Sequence, residues 1–264
     1  METMSSDPSD APLYPIASSV EDFARNLASV RARIDAAARR AGRSPAEVRL
    51  LPVSKTVPED RLRNAVAAGM HQLGENKVQE AKRKSENLRD LGISWSVIGH
   101  LQTNKARDVA AFADEFQALD SLRIAEALDR RLQAAGRGLD VYVQVNTSAE
   151  ESKYGLTAEE VPGFLRQLAP YSGLRVRGLM TLALFSSDLA AVRACFVRLR
   201  TLRDRVRETD EALIGAGELS MGMSGDFETA VAEGATCVRV GQAIFGARAV
   251  NEEHYWPTDP PPAE

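Results

Sequence analysis

The run Leu50-Leu51-Pro52-Val53-Ser54-Lys55 carries apolar residues up to a single lysine, and it is the first of eight short apolar runs separated by amphipathic stretches. The eight cover residues 49–54, 71–74, 95–100, 115–119, 140–146, 176–182, 218–223 and 236–240. Apolar runs alternating with helical periodicity mark repeated βα units, in which a parallel sheet is covered by helices. Eight strands in about 200 residues predict an α/β fold of the closed (β/α)8 type, a TIM barrel in a single domain, over an open doubly wound sheet. Pro52 conflicts locally with this reading, because a closed barrel offers no free edge on which proline is easily tolerated. A bulge or a late strand start is expected there.

Ahead of the first strand, Phe23, Leu27, Val30, Ile34 and Ala38 recur at helical spacing between a capping box at Ser18-Ser19-Val20-Glu21 and Gly42. They predict an extra N-terminal helix. Leu189, Val192, Phe196, Leu199, Leu202 and Val206 form one stripe behind Ser187-Asp188. Ser121 opens the helix after the fourth strand, and Thr157-Ala158-Glu159-Glu160 caps the one after the fifth. Such stripes face the sheet and carry no chemistry. Residues 1–17, rich in Ser, Asp and Pro and without a secretory signal, are expected to be a disordered tail. Residues 18–250 form the barrel with its N-terminal helix, and residues 251–264 a proline-rich C-terminal tail.

The charge balance, 33 Lys plus Arg against 37 Asp plus Glu for a net −4, is interspersed along the chain. No dense basic stripe exists to bind nucleic acid. No apolar run approaches the roughly 20 residues of a membrane span. Cys195 and Cys237 lack metal-ligand spacing and read as buried thiols, which suits a reducing cytoplasm.

Strand alternation puts Leu51, Val53 and Lys55 on one face. If that face is the barrel interior, the lysine emerges at the C-terminal mouth, where barrel active sites lie. Burial there lowers a lysine pKa and makes a neutral amine available for Schiff-base formation, although alone the residue also fits a solvated strand end. Support comes from the last two strands. Ser224-Gly225-Asp226 opens a helix after the seventh, and Arg239-Val240-Gly241-Gln242 ends the eighth with a glycine at the turn. Loops after strands seven and eight are the usual phosphate site of a barrel, with N–H groups and a helix dipole turned to the anion. Arg239, placed against a pyridine nitrogen, would keep it unprotonated and damp carbanion chemistry; a salt bridge to Asp or Glu is its other reading. Asn76, Lys77, His100, Asn146, the 152–155 stretch Ser152-Lys153-Tyr154-Gly155, and Met180-Thr181 complete the ring of strand-end candidates. His100 fits an acid or base near neutral pH and equally a structural histidine. A lysine amine opposite a phosphate cradle points to a phosphorylated aldehyde, pyridoxal 5′-phosphate (PLP) above others.

Taken in order, Pro52-Val53-Ser54-Lys55, Leu73-Gly74-Glu75-Asn76, the 98–105 stretch from Ile98 to Lys105, Gly178-Leu179-Met180-Thr181, the 220–226 stretch from Ser220 to Asp226, and the 238–246 stretch from Val238 to Gly246 resemble the pyridoxal phosphate homeostasis protein family. That family is itself similar to the barrel domain of alanine racemases. The resemblance implies that Lys55 forms the Schiff base, that Ser224 and the backbone around Gly225 and Gly241 hold the phosphate, that Arg239 faces the pyridine nitrogen, and that Asn76 lies near the ring. Met221 joins these as a cofactor-binding residue. It also implies a carrier that balances vitamin B6 and amino- and keto-acid pools without turnover, passing PLP to PLP-dependent apo-enzymes, as a monomer or weak dimer. Alanine racemases add a β-rich domain bearing a second catalytic residue, whereas only 18 residues follow Gly246 here, so racemase activity is not expected. The alternatives are a low-activity PLP-dependent racemase or lyase using Lys55 with His100 or Tyr154, and an aldolase-like barrel with a lysine imine and no cofactor.

Overall fold

The computed structural model describes residues 14–148, 150 and 154–247. Its strands are β1 (Arg49–Pro52), β2 (Gln72–Glu75), β3 (Ser94–Val97), β4 (Glu115–Leu119), β5 (Leu139–Gln144), β6 (Leu174–Met180), β7 (Glu218–Ser220) and β8 (Cys237–Val240). All pair in parallel, in the order β1-β8-β7-β6-β5-β4-β3-β2. The two ends of that order meet at one parallel bridge, Val53–Gly74, beside which the Ser54 N–H donates to the Gly74 carbonyl at 2.9 Å. This seam closes the barrel.

Pro52 makes no bulge, contrary to expectation. It stands in register with Val240, and the next residue, Val53, donates its N–H to the Val240 carbonyl at 2.9 Å. Successive N–H groups of a strand point to opposite neighbours. The donor that proline lacks would therefore face β2, and pairing on that side begins only one residue later.

Helices α2 (Glu59–Ala67), α3 (Val78–Asn87), α4 (Ala106–Phe112), α5 (Leu122–Ala134), α6 (Val161–Leu168), α7 (Leu189–Asp210) and α8 (Phe227–Ala232) follow strands one to seven, and α9 (Gln242–Phe245) follows β8. The extra helix α1 (Val20–Arg40) buries Phe23, Leu27, Val30, Ile34 and Ala38 and packs on α2, α8 and α9. Its cap is Ser19, one residue later than expected. The Ser19 hydroxyl accepts from the Asp22 N–H at 3.1 Å, and the Asp22 carboxylate accepts from the Ser19 N–H at 3.2 Å. Asp188 caps α7 as expected, whereas α6 starts only after Glu160; ahead of it the Thr157 N–H donates to Glu160 Oε2 at 2.8 Å, without a side-chain cap at the helix start itself.

Residues Tyr14 to Ala17, assigned from sequence to a disordered tail, lie against the barrel instead. The Ala247 N–H donates to the Tyr14 carbonyl at 2.8 Å, and the Ala17 N–H to the Phe245 carbonyl at 3.3 Å. The rest of that tail, residues 1–13, and the proline-rich 251–264 stretch lie outside the described residues. Among the described residues no helix is long and apolar enough to cross a membrane, and no group of His, Cys, Asp and Glu is placed to hold a metal ion. Both cysteines are free thiols and buried.

Candidate functional site

The C-terminal strand ends surround one cavity of about 800 Å³. Lys55, Asn76, His100, Asn146, Tyr154, Ser224, Gly225, Arg239 and Gly241 all line it, so the structure gathers most of the residues singled out in sequence.

Lys55 sits just past β1, where the chain is pinned by a buried ion cluster. The Lys84 ammonium, reaching in from α3 with no exposure, donates to the Ser54 carbonyl at 2.9 Å, to Glu75 Oε1 at 2.7 Å and to Glu80 Oε1 at 2.8 Å. The Ser54 hydroxyl adds a bond to Glu75 Oε1 at 2.6 Å, and the Thr56 N–H donates to Glu80 Oε1 at 2.9 Å. Thr56 is held at φ +67°, a left-handed conformation that a β-branched residue seldom adopts. The backbone on both sides of Lys55 is thus fixed by Lys84, Glu75 and Glu80. Burial pushes the Glu75 carboxyl above the usual range, opposed by the Lys84 charge.

Across the cavity, Ser224 is the focus of the loops after β7 and β8. Its hydroxyl oxygen accepts from the Gly241 N–H at 3.3 Å and the Ala243 N–H at 3.4 Å. These are long bonds to a neutral acceptor, and a phosphate oxygen would take such donors more strongly. A methyl group added at Gly225 would meet nothing within 4 Å. The space beside the loop is therefore open to a ligand. The helices behind these loops, α8 and α9, run only six and four residues, so converging N–H groups rather than an extended dipole make the cradle. Asp226 also lines the cavity; its carboxylate accepts from the Met223 N–H and ties the loop, and burial raises its pKa.

Arg239 is 3% exposed and pairs with no carboxylate among the described residues. Its Nη1 donates to Ser220 Oγ at 2.7 Å and its Nη2 to the Thr181 carbonyl at 2.7 Å. Ser220 in turn donates to Gln117 Oε1 at 2.7 Å, Gln117 Nε2 to Glu115 Oε1 at 2.6 Å, and Arg49 Nη2 to Glu115 Oε2 at 2.7 Å. A polar file therefore runs down the barrel interior and holds the guanidinium from below. Burial pulls its pKa down, yet a guanidinium remains a cation in proteins. The salt bridge that sequence left open for this residue is absent among the described residues, although Asp226 and Glu115 lie near enough to favour its charge. A fixed cation outside any salt bridge of the described residues suits an electron-rich ring atom.

On the β3 to β5 side, His100 stacks on Tyr154 with ring centroids 4.0 Å apart, and its Nδ1 lies 4.0 Å from Asp120 Oδ2. Burial lowers the His100 pKa, leaving a neutral imidazole at pH 7. Burial raises Asp120 to about 6, against the opposing Gly155 N–H. The folded state therefore holds the Asp120 proton more tightly than the unfolded chain, and this stability is full below about pH 4 and lost as pH rises through about 6. Relative to the native protein, Asp120→Asn should gain up to about 3 kcal/mol between those limits and nothing further above pH 7. Thermal midpoints measured across pH would check this; a constant offset would refute it.

Met221 does not line the cavity. Alternation turns Ser220 into the barrel interior, so Met221 points outward into the helix-facing core, fully buried, and Met223 reaches the cavity instead. Met180 is likewise core, while Thr181 serves through its carbonyl. Ser152 and Lys153 lie outside the described residues. Sequence reasoning missed Tyr14 and the apolar wall of Leu182, Leu184 and Phe185, and it missed the Lys84 cluster. Leu182 ends the sixth apolar run and Lys84 pairs with Glu80 at i,i+4, whereas Tyr14 and the reach of Lys84 to Glu75 and the Ser54 carbonyl carry no local signal and depend on tertiary packing.

A family model for the alanine racemase N-terminal domain matches residues 25–249, which sets the chain in that class of barrel. Within the class, the chain belongs to the pyridoxal phosphate homeostasis protein family. It is 44% identical over 226 residues to the pyridoxal phosphate homeostasis protein of Pseudomonas aeruginosa, covering 86% of this chain and 96% of that one. The protein of the same name from Escherichia coli K12 is 42% identical over 236 residues, 87% of this chain and 98% of the other. PipY of Synechococcus elongatus, solved with PLP bound, superposes with a TM-score of 0.74 at 37% identity, over 85% of this chain and 100% of that one. Alanine racemase from Corynebacterium glutamicum, at 17% identity and a TM-score of 0.64 over 92% of this chain and 66% of its own, shares the fold alone.

Proposed function

We propose that the chain binds pyridoxal 5′-phosphate in this cavity as a Schiff base on Lys55 and serves in PLP homeostasis, holding and releasing the cofactor rather than turning over a substrate. One observation carries the reading. A lysine amine, a set of N–H donors converging on Ser224, and a buried arginine in no salt bridge with the described carboxylates line a single cavity. Bound there, the cofactor supplies an aldehyde that condenses with the Lys55 amine, releasing water, and a phosphate dianion that anchors it.

The chain's own groups have separate tasks. Lys84, Glu75 and Glu80 fix the backbone that presents Lys55. Ser224, Gly225, Gly241 and Ala243 hold the phosphate, and Asn76 flanks the ring. Arg239, fixed by Ser220 and Thr181, keeps a facing ring nitrogen unprotonated, which weakens the electron sink that carbanion chemistry needs. PLP-dependent apo-enzymes are the recipients, the protein works as a monomer or weak dimer, and the buried free thiols suit a reducing cytoplasm. Borohydride reduction after incubation with PLP, followed by peptide mass mapping, should place the adduct on Lys55. An adduct confined to Lys77 or Lys105, which line the same cavity, would overturn the assignment.

A further inference from the structure

We propose that Tyr14 is a phosphate-binding residue, supplied by a strap of residues 14–18 that crosses the anion cradle and slows release of phosphorylated ligands. This rests on the reading that the phosphate lies at Ser224. The strap precedes residue 25, where the family match begins, so the family model places nothing there.

Tyr14 is half-buried and lines the cavity with Ser224, Gly225 and Gly241. Its hydroxyl donates to the Ser224 carbonyl at 3.5 Å, the outer limit of a hydrogen bond. Arg33, forked on Glu228 at 3.1 Å through Nε and Nη2, carries its charge near the phenol, whose proton is held by that long bond. An anion in the cradle would offer that proton a far better acceptor than a neutral carbonyl at 3.5 Å.

The strap is anchored firmly enough to hold this position. Arg61 Nε donates to the Ala17 carbonyl at 2.8 Å and its Nη2 to the Phe245 carbonyl at 2.5 Å, while Asn64 Nδ2 donates to the Ser18 carbonyl at 2.8 Å. Gly246, at φ +98°, lets it pass. A Cβ there would come within 2.5 Å of Ile16 Cα and 2.7 Å of the Pro15 carbonyl.

The test compares PLP with dephosphorylated pyridoxal on the native protein and on Tyr14→Phe, which keeps the ring and so the strap packing. Loss of one charge-assisted hydrogen bond should speed PLP release roughly tenfold while leaving pyridoxal affinity within about twofold. Equal effects on both ligands, or no effect on PLP, would overturn the role of Tyr14 alone. Failure of the native protein to take up PLP would instead overturn the cofactor reading, and this proposal with it.

Discussion

Lys55→Ala is expected to abolish the Schiff-base absorption that the native protein develops with PLP. The substitution removes the only atom of residue 55 that can bond the aldehyde carbon, while leaving the opposite wall intact. Ser224, Gly241 and Ala243 should still hold the phosphate, each charge-assisted bond worth about 1.5–3 kcal/mol. Ligand should therefore bind reversibly, without colour, and be displaced by inorganic phosphate. Lys55→Arg separates charge from covalency, because a guanidinium keeps the cation but is no imine-forming amine at neutral pH. Both variants should lose the whole band. Survival of the band in either would move the attachment to another lysine of the cavity and break the proposed link between β1 and the cofactor.

Lys84→Met should be the most destabilising single change near the site, at about 3–5 kcal/mol, or roughly 10 °C in thermal midpoint. The substitution fits the volume but leaves Glu75 as a buried carboxylate stripped of its cation, and Glu75 Oε2 already has no hydrogen-bond partner. Burial is the leading cause of the raised Glu75 pKa and Lys84 the main counterweight, so the variant drives that pKa higher still. Protonation then favours the folded state. The deficit should shrink as pH falls and reach its full size once pH exceeds the raised value. A deficit that is small and constant with pH would show that the cluster contributes little. Because Lys84 also grips the Ser54 carbonyl and Glu80 holds strained Thr56, the variant should take up PLP more slowly even where it remains folded. Glu75→Gln in the same background should restore much of the stability by removing the orphaned charge.

The chemistry-bearing strand ends were legible because barrel geometry ties position along the chain to position in space. A residue that ends a parallel strand must lie at the C-terminal mouth, so Lys55, Asn76, Ser224, Arg239 and Gly241 could be expected there without any contact being known. Met221 was misplaced for a physical reason of the same kind. Strand alternation sends neighbours to opposite faces, and membership of a motif says nothing about which face each takes. The cap of α1 slipped by one residue because Ser18 and Ser19 are equivalent donors and acceptors in sequence, and the shorter Asp22 closes the box from the later serine.

Local pattern alone determined the α/β class, the eight strands, the N-terminal helix and the lysine that faces the mouth, since each follows from side-chain periodicity and the rise of a strand or helix. Long-range packing decided what surrounds that lysine. The bonds from Lys84 to Glu75 and the Ser54 carbonyl, the links from Arg239 to Ser220 and from Ser220 to Gln117, and the passage of Tyr14 across Ser224 join residues 9 to 210 positions apart. No periodicity encodes such pairs; they exist only because closing the barrel removes water from the groups and leaves each the other as its remaining partner.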